Sequence, residues 1–404
     1  MLPEDRKKYY PRFSDQEYRR RYRKIREYMD RFNIDCLVIY GDAGKRDHNQ
    51  ANGRYVSNYA DYEAYSYVVF PRDGDPTVFE YLSTHLQRVR NISVIGDVRW
   101  AGLNVGKSIA DQIVELGLEK ANIGIVGVGS EPFKTQSLPA DHYDTLKKEL
   151  PKAHFTNATS WFEEIRIIKS AEEIEFLRKG AELTDLAMDC LVKAVRPGKK
   201  EYELVADTWC EPLRKGGSLC FQLLESVPMS DVRMWMPGPC LSSPSNRTIK
   251  RGDLIITEIS VSYDGYCGQL IRPIALGKPT KELQDLFNVS VEVYEGIRKV
   301  LRPGKTENDV LKAAKPFVDA GLKWQILLHG WDQNLMPPVI GAIAPSVEGG
   351  RPPFEFKENM VVVNEPNPYN ERDTGMFIGE VNVVTKRGGQ SLHKYPLEFI
   401  TIPC

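Results

Sequence analysis

Glu258 is the residue whose setting first asks for a chemical explanation. It lies in GDLIITEISVSYDGYCGQLIRPIALG (252–277), two strands joined by a turn at 262–265, with Ile256 and Ile259 beside it. A carboxylate buried there needs a hydrogen-bond or ionic partner. The plain alternative is a solvent-facing edge strand, because Glu is seldom fully buried. A second candidate is the loop MWMPGPCLSSPSNRTIK (234–250). Met234, Trp235, Met236, Pro237, Gly238 and Pro239 would make an apolar wall for a small ligand, or simply pack as an ordinary loop. Cys240 would act as a nucleophile only beside a base that lowers its pKa. Bases of that kind are scarce, since the chain has six histidines.

The elements that must position these residues fall into two regions. The first alternates helix and strand signals. A charged helix starts at Ser14, and the apolar run 34–41 suits a buried strand. Residues 65–71 and 76–81 read as a hairpin around RDGD, and further strands are expected over 91–98 and 121–128, with helices near 107–118 and 141–150. Ser170 and Glu173 then form a capping box before a long amphipathic helix that stops at RPG (196–198). A second such helix stops at RPG (302–304), and RPGKKEYELVA (196–206) parallels RPGKTENDVLK (302–312). Repetition of a helix–turn–helix unit predicts a two-fold pseudo-symmetric α/β domain with a site between its halves. The expected domains are 1–163 and 164–404.

Composition sets outer limits. At 404 residues the chain exceeds the size at which one core keeps growing, so two domains are expected. A net charge of −1 gives no footprint for nucleic acid or an anionic membrane. No apolar run approaches the roughly 20 residues of a membrane helix. The first 24 residues are charged throughout and lack a signal-peptide core, and seven scattered cysteines show no CxxC spacing. A cytoplasmic location is expected.

The motifs in their order are similar to those of the pita-bread superfamily of creatinase, aminopeptidase P and prolidase. The frame around Glu258 resembles the central metal motif of those peptidases. LLHGWDQNLMPP (327–338) resembles their histidine loop, FKENMVVVNEPNPY (356–369) their glutamate strand, and GMFIGEVNVVTKRGG (375–389) their last ligand strand. Residues 1–163 resemble their N-terminal domain. The implied fold is α/β (α+β), an N-terminal creatinase-like α/β domain followed by a pseudo-symmetric pita-bread domain.

The resemblance implies a site of two divalent metals on two aspartates, one histidine and two glutamates, and here it breaks down. Glu258 stands at the first aspartate position and Gln269 at the second, eleven residues on. His329 and Glu365 match the histidine and the first glutamate. Gly379 stands at the last position, and the adjacent Glu380 would reach the site only through a bulge or a one-residue slip. No cofactor is expected; a single divalent metal on Glu258, His329 and Glu365, with Glu380 as a possible fourth ligand, is the alternative. Creatinase works without metal, but its loop histidine and strand glutamate are absent, the latter replaced by Ile271.

The resulting expectation is a small-molecule hydrolase or lyase acting on a C–N or related bond. His329 would serve as general base beside Glu258 and Glu365. Gln269, Trp331, Asp332, Cys240 and Trp235 are expected at the substrate, and a Cys240–His329 pair is a further possibility. A homodimer is expected, in which the N-terminal domain contributes to the partner's site through 54–67, where Tyr59, Tyr62 and Tyr65 would form a lid and Glu63 would favour a cationic group. The other readings are a metal-dependent Xaa-Pro peptidase with rearranged ligands and a non-catalytic binding module.

Overall fold

A computed structural model describes residues 9–42, 51–60, 65–128, 138–238, 245–340 and 354–403. The chain divides into two compact units, Met1–Arg166 and Ile167–Cys404.

The first unit is built on a six-stranded mixed sheet of order β4-β3-β2-β1-β5-β6: β1 (Cys36–Asp42), β2 (Tyr65–Pro71), β3 (Thr77–Glu80), β4 (Asp97–Trp100), β5 (Asn122–Val126) and β6 (His154–Asn157). Its helices are α1 (Asp15–Arg31), α2 (Ala51–Ser57), α3 (Leu86–Ile92), α4 (Val105–Glu115), α5 (Ala140–Glu149) and α6 (Thr159–Ile167). Alternation along β1 explains the layering. Leu37 and Ile39 join Ile25 and Met29 of α1 in one core, while Cys36, Val38 and Tyr40 join Ile109 and Ile113 of α4 in another. The expected hairpin is present, with Val69 opposite Thr77. The strand expected over 91–98 begins later. Val89 and Ile92 have helical spacing and pack on the first core, so α3 takes up 86–92.

The second unit carries α7 (Ala171–Ala194), α8 (Glu201–Arg214), β7 (Ser218–Pro228), β8 (Asp253–Tyr263), β9 (Tyr266–Cys267), β10 (Leu270–Ile271) and β11 (Ile274–Leu276), then α9 (Lys281–Val300), α10 (Glu307–Ala313) and α11 (Lys315–Asp319). It closes with β12 (Lys323–Trp331), β13 (Leu335–Ile340), β14 (Val361–Tyr369), β15 (Gly379–Thr385), β16 (Gly388–Ser391) and β17 (Ile400–Ile402). The eleven strands form one sheet, with the path β13-β12-β14-β15-β10-β8-β11-β17. The helices α7 and α9 cover one face. Ile255, Ile259 and Val261 of β8 pack with Leu183 and Leu191 of α7, and Leu328 and Val362 pack with Val293 and Ile297 of α9.

The repeat read from the sequence is a repeat of structure. Ser170 and Glu173 form the capping box of α7. In both RPG turns the glycine has a positive φ, 94° at Gly198 and 81° at Gly304, which a side chain would strain. Gly198 donates to the carbonyl of Ile249, and Gly304 to that of Phe356. At the start of α8, Glu203 accepts from the Lys200 backbone N–H at 2.7 Å; at the start of α10, Asp309 accepts from Thr306 at 2.9 Å. Carried forward, this equivalence places Glu258 of β8 on Glu365 of β14. Each faces a leucine of the neighbouring strand, Leu223 and Leu327. The halves join where β10 pairs with β15, Ile271 opposite Gly379.

Candidate active site

On the face turned away from α7 and α9, register alone brings the polar residues together. Glu258 lies beside Ile271, Ile271 beside Gly379, and Glu365 one strand further on. His329 pairs with Val363, so it points to the same side, two residues from Glu365 along the sheet. The pairing of β12 with β13 shifts register between His329 and Gly330, a bulge of the kind that redirects a side chain at a strand end.

The centre of the cluster is Gln269. Its Nε2 donates to Glu365 Oε1 at 2.9 Å and also to Glu258 Oε1, so one amide nitrogen holds both carboxyls. All three are buried, as is His329. Glu258 is therefore not on a solvent-facing edge. His329 Nε2 lies 3.5 Å from Glu365 Oε1, and Nδ1 lies 3.1 Å from the carbonyl oxygen of Gly330. A carbonyl only accepts, so Nδ1 carries the proton in that contact and leaves Nε2 directed at Glu365.

Burial pushes the Glu365 carboxyl up to about 8. Glu258 is raised well above the ordinary range, first by burial, then by the neighbouring Glu365 charge and by Cys220, against the lowering effect of the Gln269 hydrogen bond. Two carboxyls on one amide in a dry site cannot both ionise cheaply, so the pair retains protons at neutral pH.

Trp331 and Asp332 are fully buried, and their polar atoms bond within the protein. The Trp331 indole donates to the carbonyl of Cys267 at 2.9 Å, and the Asp332 carbonyl accepts from the Cys267 N–H at 2.9 Å. Asp332 also pairs with Lys169 at 2.9 Å, both side chains having no exposure. These contacts tie the histidine segment to the turn that carries Gln269. That turn is pressed onto α7: a Cβ at Gly268 would lie 2.7 Å from Ala181 Cα and from the Gly180 oxygen.

Glu380 is on the other face. It pairs in regular register with Leu270, salt-bridges to Arg272 and accepts from the Tyr294 hydroxyl at 2.9 Å. Burial raises its pKa, but Arg272 and His393 outweigh that and hold it below the usual range. No bulge or slip brings it round, so the idea of Glu380 as a fourth ligand is corrected. At Gly379 a Cβ would meet the Asn364 oxygen at 2.7 Å and Glu365 Cγ at 2.8 Å, so that position has no room for a side chain.

Trp235 is half-buried and stacks on Tyr369 at 5.7 Å between ring centres. Tyr59 belongs to the core of the first unit, so it is not part of a lid. Cys240, Tyr62 and Glu63 lie outside the described residues. Sequence reasoning missed Asn367, which alternation places two residues beyond Glu365 on the same face, and it missed Cys220 beside Glu258. Asn367 could have been found by extending the strand period; Cys220 sits at an irregularity of β7 that no local pattern marks.

The two-unit architecture, the pseudo-symmetric sheet and the polar cluster at the join of its halves define a pita-bread protein. The chain belongs to metallopeptidase family M24, which it matches over residues 175–386, and residues 21–168 match the creatinase/prolidase N-terminal domain. The expected hydrolase of creatinase and prolidase type is thus borne out at the level of the family. An Xaa-Pro dipeptidase of Pyrococcus horikoshii is 25% identical over 292 residues, 70% of this chain and 77% of that protein. An uncharacterised peptidase of Bacillus subtilis is 21% identical over 94% of this chain and 99% of its own length. Among solved structures, an X-Pro aminopeptidase from Thermotoga maritima superimposes with a TM-score of 0.77 at 17% identity, covering 94% of this chain and all but 1% of the other. The prolidase of Pyrococcus horikoshii gives 0.74 at 21%, over 94% of this chain and 100% of its own.

Proposed function

We propose that the chain is a small-molecule hydrolase or lyase acting on a C–N or related bond, in which the carboxyl–imidazole cluster moves the protons and no resident metal pair is used. The observation that carries this reading is the single Gln269 nitrogen that donates to both Glu258 and Glu365. Between two divalent ions that position would need a negative, metal-bridging oxygen; a donor N–H directed at both carboxyls is the opposite arrangement. The blocked Cβ at Gly379 and the commitment of Glu380 to Arg272 point the same way. Among the described residues, no three His, Cys, Asp or Glu side chains are grouped to hold a metal ion. The donor set present does not fit two metals.

In a hydrolytic step, His329 Nε2 takes a proton from water as the water oxygen bonds to the carbonyl carbon. The C–N bond then breaks as protonated Glu258 gives its proton to the leaving nitrogen. The imidazolium, beside Glu365, then releases its proton to solvent, and Glu258 takes one back from solvent to reset the acid. A raised carboxyl is suited to the acid role at neutral pH, and a histidine to the base role. Trp331 and Asp332 position the histidine segment in this account.

As the family resemblance implies, the chain would work as a cytoplasmic homodimer. The second reading, a metal-dependent Xaa-Pro peptidase, is favoured by the names of the relatives. The test is a panel of small amides, ureido compounds and Xaa-Pro dipeptides, assayed with and without a chelator, on the wild type and His329→Ala. Chelator-resistant turnover abolished by His329→Ala supports the proposal. Turnover of Xaa-Pro dipeptides that requires added metal replaces it with the second reading.

A further inference from the structure

Beside the cluster lies a buried amide that the reaction scheme does not use. Asn367 is 1% exposed, and neither its Oδ1 nor its Nδ2 has a partner among the described residues. On β14 the side chains of Glu365, Asn367 and Tyr369 share one face, while Pro366 and Pro368 turn to the other. The strand rise sets Asn367 roughly 6.6 Å from Glu365 along the strand. At the cluster itself, Gln269 spends its nitrogen on the two carboxyls, and its Oε1 is also buried without a partner. Trp235, stacked on Tyr369, closes the far end of the row. Buried side-chain amides are nearly always hydrogen-bonded, so Asn367, with both polar atoms unfilled beside a reactive carboxyl, marks a place for a ligand's polar atoms.

We propose that the Asn367 side-chain amide, with both of its polar atoms unfilled, forms a recognition subsite for a neutral carboxamide or ureido group of the substrate. Such a group carries N–H and C=O side by side. Its N–H would donate to Asn367 Oδ1 and its C=O would accept from Asn367 Nδ2, a reciprocal amide pair. A carboxylate in the same place would turn an oxygen toward Asn367 Oδ1 with no proton between them. The buried cations near the cluster are engaged elsewhere, Lys169 with Asp332 and Arg272 with Glu380 on the opposite face. The subsite therefore favours an amide over the corresponding acid. This inference rests on the proposed small-molecule activity for its use, but its test does not need turnover.

The experiment compares binding of N-acetylglycinamide and N-acetylglycine by calorimetry to the wild type, His329→Ala, Asn367→Leu and Asn367→Asp. The wild type and His329→Ala should bind the amide roughly tenfold or more tighter than the acid, because a site built to bond N–H groups rejects an analogue that lacks them. Asn367→Leu, which has similar volume and no unfilled polar atoms, should stay folded and lose that preference. Asn367→Asp should weaken the acid further. Equal affinity for amide and acid in the wild type, binding of neither, or an unchanged preference in Asn367→Leu would overturn the subsite. Amide binding without hydrolysis of any member of the amide and ureido panel would leave the subsite standing and sink the reaction instead.

Discussion

Glu258 and Glu365 occupy equivalent positions in the two halves of the second unit and accept hydrogen bonds from the same nitrogen, Gln269 Nε2. Duplication supplies the two carboxyls, and one amide at the join decides what they do. A carboxylate there would add charge for a cation to neutralise; the amide instead lets the pair hold protons.

The first prediction concerns that amide. Gln269→Glu places a third carboxyl in a dry cluster and should lower stability by about 3 kcal/mol, the scale of an uncompensated buried charge. Added Mn²⁺ should recover much of the loss in the variant and change the wild type little. Thermal unfolding with and without the ion checks this, and a wild type stabilised as strongly as the variant would argue that Gln269 is no barrier to metal.

Glu365 makes a pH prediction. Its pKa rises from 4.5 to about 8 on folding, so between those values the folded chain keeps a proton that the unfolded chain has lost. The stability it contributes is full below pH 4.5, declines as pH rises toward 8, and is gone above. The limiting slope is about 1.4 kcal/mol per pH unit for one group. Urea unfolding across this range should show the decline in the wild type and a shallower one in Glu365→Gln.

The opposite face gives a contrast. Arg272→Met removes the buried partner of Glu380 and should cost about 3–5 kcal/mol. Since Glu380 points away from the cluster, Arg272→Met with Glu380→Gln should restore part of that stability. A chelator-sensitive activity in the double variant, absent from the wild type, would show that the two faces are linked in a way the register does not suggest.

Asp332→Asn tests positioning at a distance. Lys169 and Asp332 have no exposure, and the substitution takes the opposite charge from beside a buried ammonium. Stability should fall by about 3 kcal/mol. Because the same segment carries His329, the general base, kcat should fall more than KM rises, and the acidic limb of the kcat profile should move, which mere loss of folded protein would not produce.

Much of this was legible in the sequence because it depends on local signals. Ser170 and Glu173 announced α7, the two RPG turns announced the repeat, and the order of motifs placed Glu258, Gln269, His329 and Glu365. What was not legible depends on three-dimensional neighbours. That Trp331 donates to Cys267, and Asp332 pairs with Lys169, follows from the packing of segments more than 60 residues apart. Polar residues in the histidine segment therefore read as ligand contacts when they are internal ones. Strand alternation set Glu380 on the face opposite the cluster, but the partners that rule it out as a ligand, Arg272 and Tyr294, were not foreseen.

The most direct test of the central claim is metal stoichiometry. The full chain is incubated with Mn²⁺, Co²⁺ or Zn²⁺, desalted, and analysed by elemental mass spectrometry, with Gln269→Glu beside it. The account predicts about 0.1 ion per chain or fewer in the wild type and a clear rise in the variant. Two ions bound per wild-type chain would contradict it.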